Sequence, residues 1–138
     1  MPELHLQSTF GLLGVKLADD VWEVIVESLA KFHGIDGRSQ ELRDLIETHT
    51  EIIPFEGGAF IADGNEFDLF VVPEKRGKWA IRKEINAFLA KLAQKHQKAV
   101  VKIHPDNTPS LRLAIGFGFD PVGKDGDQIV LERRLWVM

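Results

Sequence analysis

The most constraining feature of the sequence is a strand–helix–strand unit in its second half. Residues 66–72 and 99–104 form β-rich runs, and the segment 79–96 between them carries apolar residues at helical spacing. A connection of this length can return the chain to a parallel strand by a right-handed crossover. With the elements around it, the unit predicts a mixed α/β or α+β sheet with helices on both faces.

The segment before this unit changes to a period of two residues. Apolar or alternating runs at 51–55, 59–62 and 66–72 are separated by Gly57-Gly58 and by a turn sequence at 63–65. This pattern predicts a three-stranded antiparallel meander, within a sheet of six or seven strands. The remaining predicted elements are a weak strand or loop at 4–15, helices at 18–33, 39–49 and 108–115, and a hairpin at 117–122 and 128–137.

Helix termini are also predicted. We expect Asp19 or Asp20 to cap the first helix, Gly34 to end it and Ser39 to cap the second helix. The expected buried residues are Val21, Trp22, Ile25, Leu29 and Phe32 in the first helix, Leu42, Leu45 and Ile46 in the second, and Ile81, Ile85, Phe88, Leu89 and Leu92 in the long helix.

Composition narrows the function classes. A length of 138 residues predicts one domain over 1–138, and 44% hydrophobic with 28% charged residues is typical of globular proteins. The absence of cysteine excludes disulfides, thiolate metal sites and cysteine nucleophiles. No long apolar run and no signal sequence is visible, which predicts a cytoplasmic protein without a membrane partner. Singly scattered histidines predict no metal site.

Charge is distributed unevenly along the chain. Residues 74–102 contain nine Lys or Arg and two acidic residues, a net charge of +7, whereas the remaining chain has eight basic and nineteen acidic residues, a net −11. A basic block inside an acidic protein indicates a local anionic partner more than general nucleic-acid binding. The alternative is a solvated, lysine-rich helix face.

One motif connects the third meander strand to the long helix, and a second motif frames the short helix further along the chain. Residues 71–78 run Val-Val-Pro-Glu-Lys-Arg-Gly-Lys, and Asn107, Ser110, Gly118 and Phe119 lie at offsets 0, 3, 11 and 12. The chain here resembles the GNAT family of acetyl-CoA-dependent N-acetyltransferases, whose patterns are V-x-P-x-x-R-G-x-G-x-G/A and N-x-x-[SA]-x-x-x-Y-x-x-x-G-F. It also looks similar to small GNAT-like proteins encoded by bacteriophages.

The resemblance implies acetyl-CoA as co-substrate. Phe70 and Val71 would contact the pantetheine through their backbone, and Asn107 with Ser110 would lie at the acyl arm. The pyrophosphate would be held by Arg76, Gly77, Lys78, Trp79, Ala80 and Ile81. Independently of the family, a helix N-terminus carries a partial positive charge of about +0.5 and favours phosphate. The alternative is a plain basic turn between a strand and a helix.

The resemblance also implies direct attack of an amine on the thioester. The candidate bases are Glu66 and Asp68, which alternate with Phe67 along one strand, and His104 at the end of the next. The alternatives are a solvated strand edge and a partly exposed histidine before a proline. Family members often protonate the thiolate with a tyrosine. Ala114 stands in that place, so water, Ser110 or a histidine would have to serve.

Two functions from different classes therefore stay open. The first is an N-acetyltransferase that moves an acetyl group to an unidentified amine, with the acidic part of the chain favouring a cationic acceptor. The second is a catalytically degenerate structural, regulatory or virion-associated binding protein. Trp79 and Ile81 replace family glycines, which predicts weak CoA binding or none. The apolar tail 135–138 could pair with a second copy, which would give a homodimer.

Overall fold

The computed structural model describes residues 15–76 and 79–136, and for residues 79–80 only the backbone is considered. Most of the segment 4–15 therefore lies outside the described residues. A short 3-10 turn, Pro73–Lys75, follows the third strand. The described helices and strands are, in chain order, α1 (Asp19–His33), α2 (Gln40–His49), β1 (Glu51–Phe55), β2 (Gly58–Asp63), β3 (Glu66–Val71), α3 (Trp79–Leu92), β4 (Lys98–Ile103), α4 (Thr108–Gly116), β5 (Asp120–Asp125) and β6 (Gln128–Arg134).

The six described strands form one mixed sheet in the order β1-β2-β3-β4-β6-β5. The pair β3–β4 is parallel, whereas β1–β2, β2–β3, β4–β6 and β5–β6 are antiparallel. Since α3 connects β3 to its parallel neighbour, the predicted crossover unit and meander are both confirmed. The predicted class, a mixed sheet with helices on both faces, is confirmed as well.

The parallel strands β3 and β4, in the middle of this sheet, are paired at one end only. Only Glu66 and Val100 are in register, and the Val100 N–H donates to the Asn65 carbonyl at 2.9 Å. Strand β4 pairs along its whole length with β6, and β3 pairs along its whole length with β2. The C-terminal halves of β3 and β4 therefore diverge and leave a gap in the sheet.

Two apolar cores hold the helices on opposite faces. Helices α3 and α4 pack on one face, where Phe60 of β2 stacks on Phe88 of α3 with ring centroids 4.2 Å apart. Helices α1 and α2 cover the other face over β1, β2 and the end of β3. The predicted apolar stripe of α3 is buried in the first core, which confirms the helical spacing.

Several helix termini differ from their prediction. Ala18, with extended backbone and no capping side chain, precedes α1, while the Asp20 carboxylate accepts the adjacent Val21 N–H at 2.8 Å. The prediction of Asp19 or Asp20 as the cap was therefore wrong. Gly34 ends α1 in the left-handed region at φ +63°, and Ser39 caps α2, as predicted. Helix α3 ends at Leu92, because the next turn tightens to i→i+3 hydrogen bonds.

The inward face of α2 carries an acidic residue instead of the predicted leucine. Leu45 is 55% exposed, whereas Glu47 is buried. The Glu47 carboxylate accepts the Leu17 N–H at 2.7 Å and lies 3.4 Å from the Arg43 guanidinium, which also donates to the Leu17 carbonyl at 2.6 Å. A buried carboxylate is tolerated here because it is paired and hydrogen-bonded, and it joins α2 to the chain that enters α1.

Candidate functional site

The gap between β3 and β4 opens into a cleft of about 1120 Å³. Its walls come from both strands, from α1 and from the first turns of α3 and α4. The residues predicted from the sequence that line this cleft are Glu66, Asp68, Phe70, Val71, Arg76, Ile81, His104, Asn107 and Ser110. Gly77 and Lys78 lie outside the described residues, and nothing is stated about the side chains of Trp79 and Ala80.

The backbone of β3 presents polar groups to this gap. Successive residues of a strand direct their N–H and C=O groups to opposite edges of the strand. The Asn65 carbonyl points to β4, whereas the Val72 N–H points to β2, where it donates to Gly57 at 2.8 Å. The groups of Phe67, Leu69 and Val71 therefore face the gap, where β4 has already diverged.

The same alternation changes the expected contact at Phe70. Its carbonyl lies against Gly58 of β2, so its backbone faces away from the gap. Its side chain packs with α1 and α2 and contributes to the cleft lining. Leu69, which the sequence analysis missed, offers the backbone groups instead. The alternation along this strand could be seen in the sequence. The sequence did not indicate which of the two edges of β3 would lack a neighbouring strand.

Arg76 is fixed at the mouth of the cleft. Its Nε donates to the Val71 carbonyl at 2.9 Å, across the turn Pro73–Lys75. The guanidinium thus satisfies one acceptor on the open edge of β3. This contact also holds the chain that leads into the N-terminus of α3.

Ile81, in the first turn of α3, is a buried residue. Its side chain is 7% exposed and belongs to the core under α3. The Ile81 side chain therefore contributes to that core as well as to the cleft lining.

The opposite wall of the cleft is the N-terminus of α4. The Asn107 side chain caps this helix by accepting the Ser110 N–H at 3.4 Å, and the Asn107 N–H donates to the His104 carbonyl at 2.9 Å. The turn after β4 is therefore short and fixed, and it brings Asn107 and Ser110 to the cleft. Ala114 is buried in the core one turn further on.

Glu66 and Asp68 project on the α1 side of β3, opposite Phe67 and Leu69, as predicted. Lys102 of β4 reaches Glu66, with Nζ 3.2 Å from Oε1, and Asp125 at the end of β5, with Nζ 2.9 Å from Oδ2. Hydrogen bonds to Asp125 and to Glu66 raise the pKa of Lys102. The hydrogen bond between Lys102 and Asp125 also lowers the pKa of Asp125. The sequence analysis missed both Lys102 and Asp125. A lysine inside the β-rich run 99–104 was the available signal.

Asp68 is the carboxylate in this group with a markedly shifted pKa. The pKa of Asp68 is raised from 3.8 to about 6, mainly by partial dehydration between the cleft walls and then by the negative charge of Glu66, while Lys102 opposes both effects. The side chain stays exposed to the water of the cleft, so its dehydration is incomplete. Asp68 can therefore exchange a proton close to neutral pH.

His104 lies just after β4 on the same side of the sheet. Its Nδ1 accepts the Asp106 N–H at 3.1 Å, which assigns the proton of the neutral ring to Nε2. Nε2 is 3.7 Å from Asp127 in the β5–β6 turn, and the ring packs 5.7 Å from Phe32 of α1. These contacts orient the imidazole at the end of the cleft.

The basic block of the sequence does not form one surface. Arg76 and Arg82 line the cleft, whereas Lys95 and Lys98 line a second depression of about 560 Å³ near the N-terminus of β4. Within residues 15–76 and 79–136, no group of three or more acidic or histidine side chains is arranged to hold a metal ion. In the same ranges, no helix has the length and hydrophobicity needed to cross a membrane.

Comparison with solved structures identifies the fold. The N-acetyltransferase PaiA of Thermoplasma acidophilum, in complex with coenzyme A, superposes with a TM-score of 0.59 at 14% identity, over 87% of this chain and 96% of that one. Salmonella typhimurium yncA, described as a candidate acetyltransferase and solved with acetyl-CoA, gives 0.60 at 16% identity, over 89% and 94%. The ribosomal-protein-S18-alanine N-acetyltransferase of Escherichia coli gives 0.54 at 10%, over 90% and 93%.

Sequence comparison adds no relative to these structures. No family model and no curated protein matches the chain. None of the three structures named here comes from a phage, so the resemblance to phage-encoded proteins stays a prediction. At identities this low, the superpositions establish a shared fold. The chain therefore has the fold of the GNAT acetyltransferases, as its two motifs predicted.

Proposed function

We propose that this protein transfers an acetyl group from acetyl-CoA to an amine. The observation that carries the proposal is the open edge of β3, whose backbone groups face a cleft of about 1120 Å³. The fold comparison supports it, because acetyltransferases with bound coenzyme A or acetyl-CoA share this architecture.

The open edge fits the amide-rich arm of coenzyme A. Phe67 and Leu69 offer N–H and C=O groups that can pair with the pantetheine amides, as a neighbouring strand would, and Val71 offers its N–H, since its carbonyl accepts from Arg76. The turn Arg76–Ile81 would hold the pyrophosphate, through Arg76, the backbone of Gly77, Lys78, Trp79 and Ala80, and the N-terminus of α3. Asn107 and Ser110 would contact the acyl arm from the opposite wall.

Asp68 is the group best suited to take the amine proton. The amine nitrogen would bond to the thioester carbon, and a backbone N–H of β3 in the gap would stabilise the resulting oxyanion. Asp68 accepts the proton lost by nitrogen, because a pKa of about 6 leaves it largely ionised at neutral pH. The C–S bond then breaks, and the thiolate takes a proton from water, Ser110 or His104.

The second candidate function, a binding protein without catalysis, is supported by the residue at the position where family members often have a tyrosine. Ala114 stands there and is buried, and the sequence contains no tyrosine at all. A chain that keeps the fold but lacks an efficient proton donor could act as a binding protein. Such a protein could be structural, regulatory or virion-associated.

A thermal-shift titration followed by an acetylation assay separates the two functions. We expect acetyl-CoA and desulfo-CoA to stabilise the chain, by about 2.7 kcal/mol at 100 times the dissociation constant, and adenosine to have little effect. A panel of diamines, lysine and short peptides is then tested for acetyl-CoA-dependent products by mass spectrometry. Stabilisation without any product would favour the binding protein, and no stabilisation would refute the transferase.

A further inference from the structure

Lys102 joins β3 to the half of the sheet formed by β4, β6 and β5, beyond the point where backbone pairing between β3 and β4 stops. It lies on β4 just beyond the last β3–β4 register pair, and its ammonium bridges Glu66 on β3 and Asp125 at the tip of the β5–β6 hairpin. Its side chain is only 29% exposed, so the two contacts fix it in place. The backbone pairing of β3 with β4 ends at Val100, and the next contact between the two strands is the ion pair of Lys102 with Glu66.

This bridge engages one of the two carboxylates on the α1 side of β3. Glu66 has its charge compensated by Lys102, whereas no ion pair involves Asp68 within the described residues. Two uncompensated carboxylates two residues apart would compete for one proton. With Lys102 in place, the Glu66 carboxylate is engaged in an ion pair, whereas the Asp68 carboxylate faces the cleft.

We propose that Lys102 is a positioning residue, which holds Glu66 and the hairpin tip at the edge of the cleft and leaves Asp68 as the carboxylate that meets the acceptor amine. The proposal rests on the proposed acetyl transfer. It assigns different roles to Glu66 and Asp68, which the sequence alone could not distinguish. It also gives the β5–β6 hairpin a fixed place beside the acceptor, since Asp125 and Gln128 lie at its tip.

Other charged groups also reach this cleft. From α1, Glu27, Lys31 and His33 line its outer part and are exposed to water. The remaining charged lining comes from the strand ends and the other helices: Arg76, Arg82, His104, Asp106 and Arg112. Variants of Lys102 and Glu66 leave all of these in place, so a difference between variants reports on the bridge itself.

The test follows the protonation of Asp68 by carbon-detected NMR in the full-length protein, with no ligand added. Lys102→Met should shift the titration midpoint of Asp68 upward, by about half a pH unit or more, because an attracting cation is lost. Glu66→Gln should shift it downward. Lys102→Arg should restore the wild-type midpoint. Lys124→Met is the matched control, since Lys124 is an exposed lysine of the same hairpin and its loss changes the net charge equally.

The outcomes separate this inference from the proposed function. Opposite shifts in Lys102→Met and Glu66→Gln, with none in Lys124→Met, support the bridge, and an unchanged or downward midpoint in Lys102→Met overturns it. If Lys102→Met does not fold, the sign of the Glu66→Gln shift and the rescue by Lys102→Arg decide instead. A wild-type protein that acetylates none of the amines removes the proposed function alone, because the titration needs no turnover.

Discussion

Arg76 donates a 2.9 Å hydrogen bond from Nε to the carbonyl oxygen of Val71. This contact fixes the guanidinium at the mouth of the cleft while its terminal nitrogens can meet a phosphate. The turn that leads into α3 is thereby held next to the open strand edge. A lysine at this position could not make the same side-on contact, because it has no second nitrogen along its stem.

The first prediction concerns this arginine. We expect Arg76→Ala to weaken acetyl-CoA binding about tenfold or more, because a charged hydrogen-bond donor to the phosphate is lost. Arg76→Lys should recover only part of the affinity. Calorimetric titration measures the effect. Lys75→Ala is the control, since Lys75 pairs with Glu56 at 3.6 Å outside the cleft. An equal loss in that variant would mean that only net charge matters.

The second prediction is a pH-dependent stability difference. The pKa of Asp68 is about 6 in the folded protein against 3.8 as its ordinary value. Between these values the folded state keeps a proton that the unfolded state has lost, so stability falls as the pH rises through this window. Asp68→Asn should therefore be more stable than wild type near pH 7 and about equally stable near pH 4.

Urea denaturation of both proteins at the two pH values measures this difference. Other titrating groups cancel in the comparison, because they are shared. The size of the effect will be smaller than full burial would give, since Asp68 is accessible to water in the cleft. A variant that is destabilised to the same extent at both pH values would contradict the raised pKa.

The third prediction distinguishes the candidate bases. With one amine as acceptor, kcat/KM of the wild-type protein should carry an acid limb near pH 6 that reports the ionisation of Asp68. Asp68→Asn should lose this limb and about 10²–10⁴-fold in rate. His104→Ala should keep the limb. If His104→Ala loses it and Asp68→Asn keeps it, the histidine is the base.

The fourth prediction concerns the buried carboxylate of α2. Arg43→Met should lower the free energy of unfolding by about 3–5 kcal/mol, because the buried Glu47 loses its guanidinium partner and keeps only the ammonium of the exposed Lys16 at 3.6 Å. Replacing both residues by apolar ones should recover much of the loss. Arg38→Met is the control. Its pair with Glu23 is exposed and screened by water, so its removal should change the free energy of unfolding far less than Arg43→Met does.

Much of the architecture could be predicted because its signals are local. The alternation in residues 51–72 indicates strands, and Ser39 and Gly34 mark helix ends through contacts made within a few residues. The helical spacing from Ile81 to Leu92 identifies the buried face of α3 directly. In each case the determining neighbours lie close in sequence.

What the sequence could not indicate depends on partners far along the chain. The inward place of Glu47 follows from Leu17 and Arg43, and the ion pairs of Lys102 join residues on three different strands. The divergence of β3 from β4 is equally nonlocal. It decides which backbone edge is open, and therefore why Leu69, rather than Phe70, offers its amide to the cleft.

Because β3 and β4 share a single register pair, the sheet consists of two halves, β1-β2-β3 and β4-β6-β5. The boundary between β3 and β4 is the seam of the sheet. Among residues 15–76 and 79–136, the amide hydrogens of Leu69 and Val71 lie along this seam without a strand partner, so they should exchange with deuterated solvent much faster than those of β2 or β6. A ligand that pairs with this edge would act as a rung between the halves. Its binding should then slow exchange on both sides of the seam at once, well beyond the atoms that it touches.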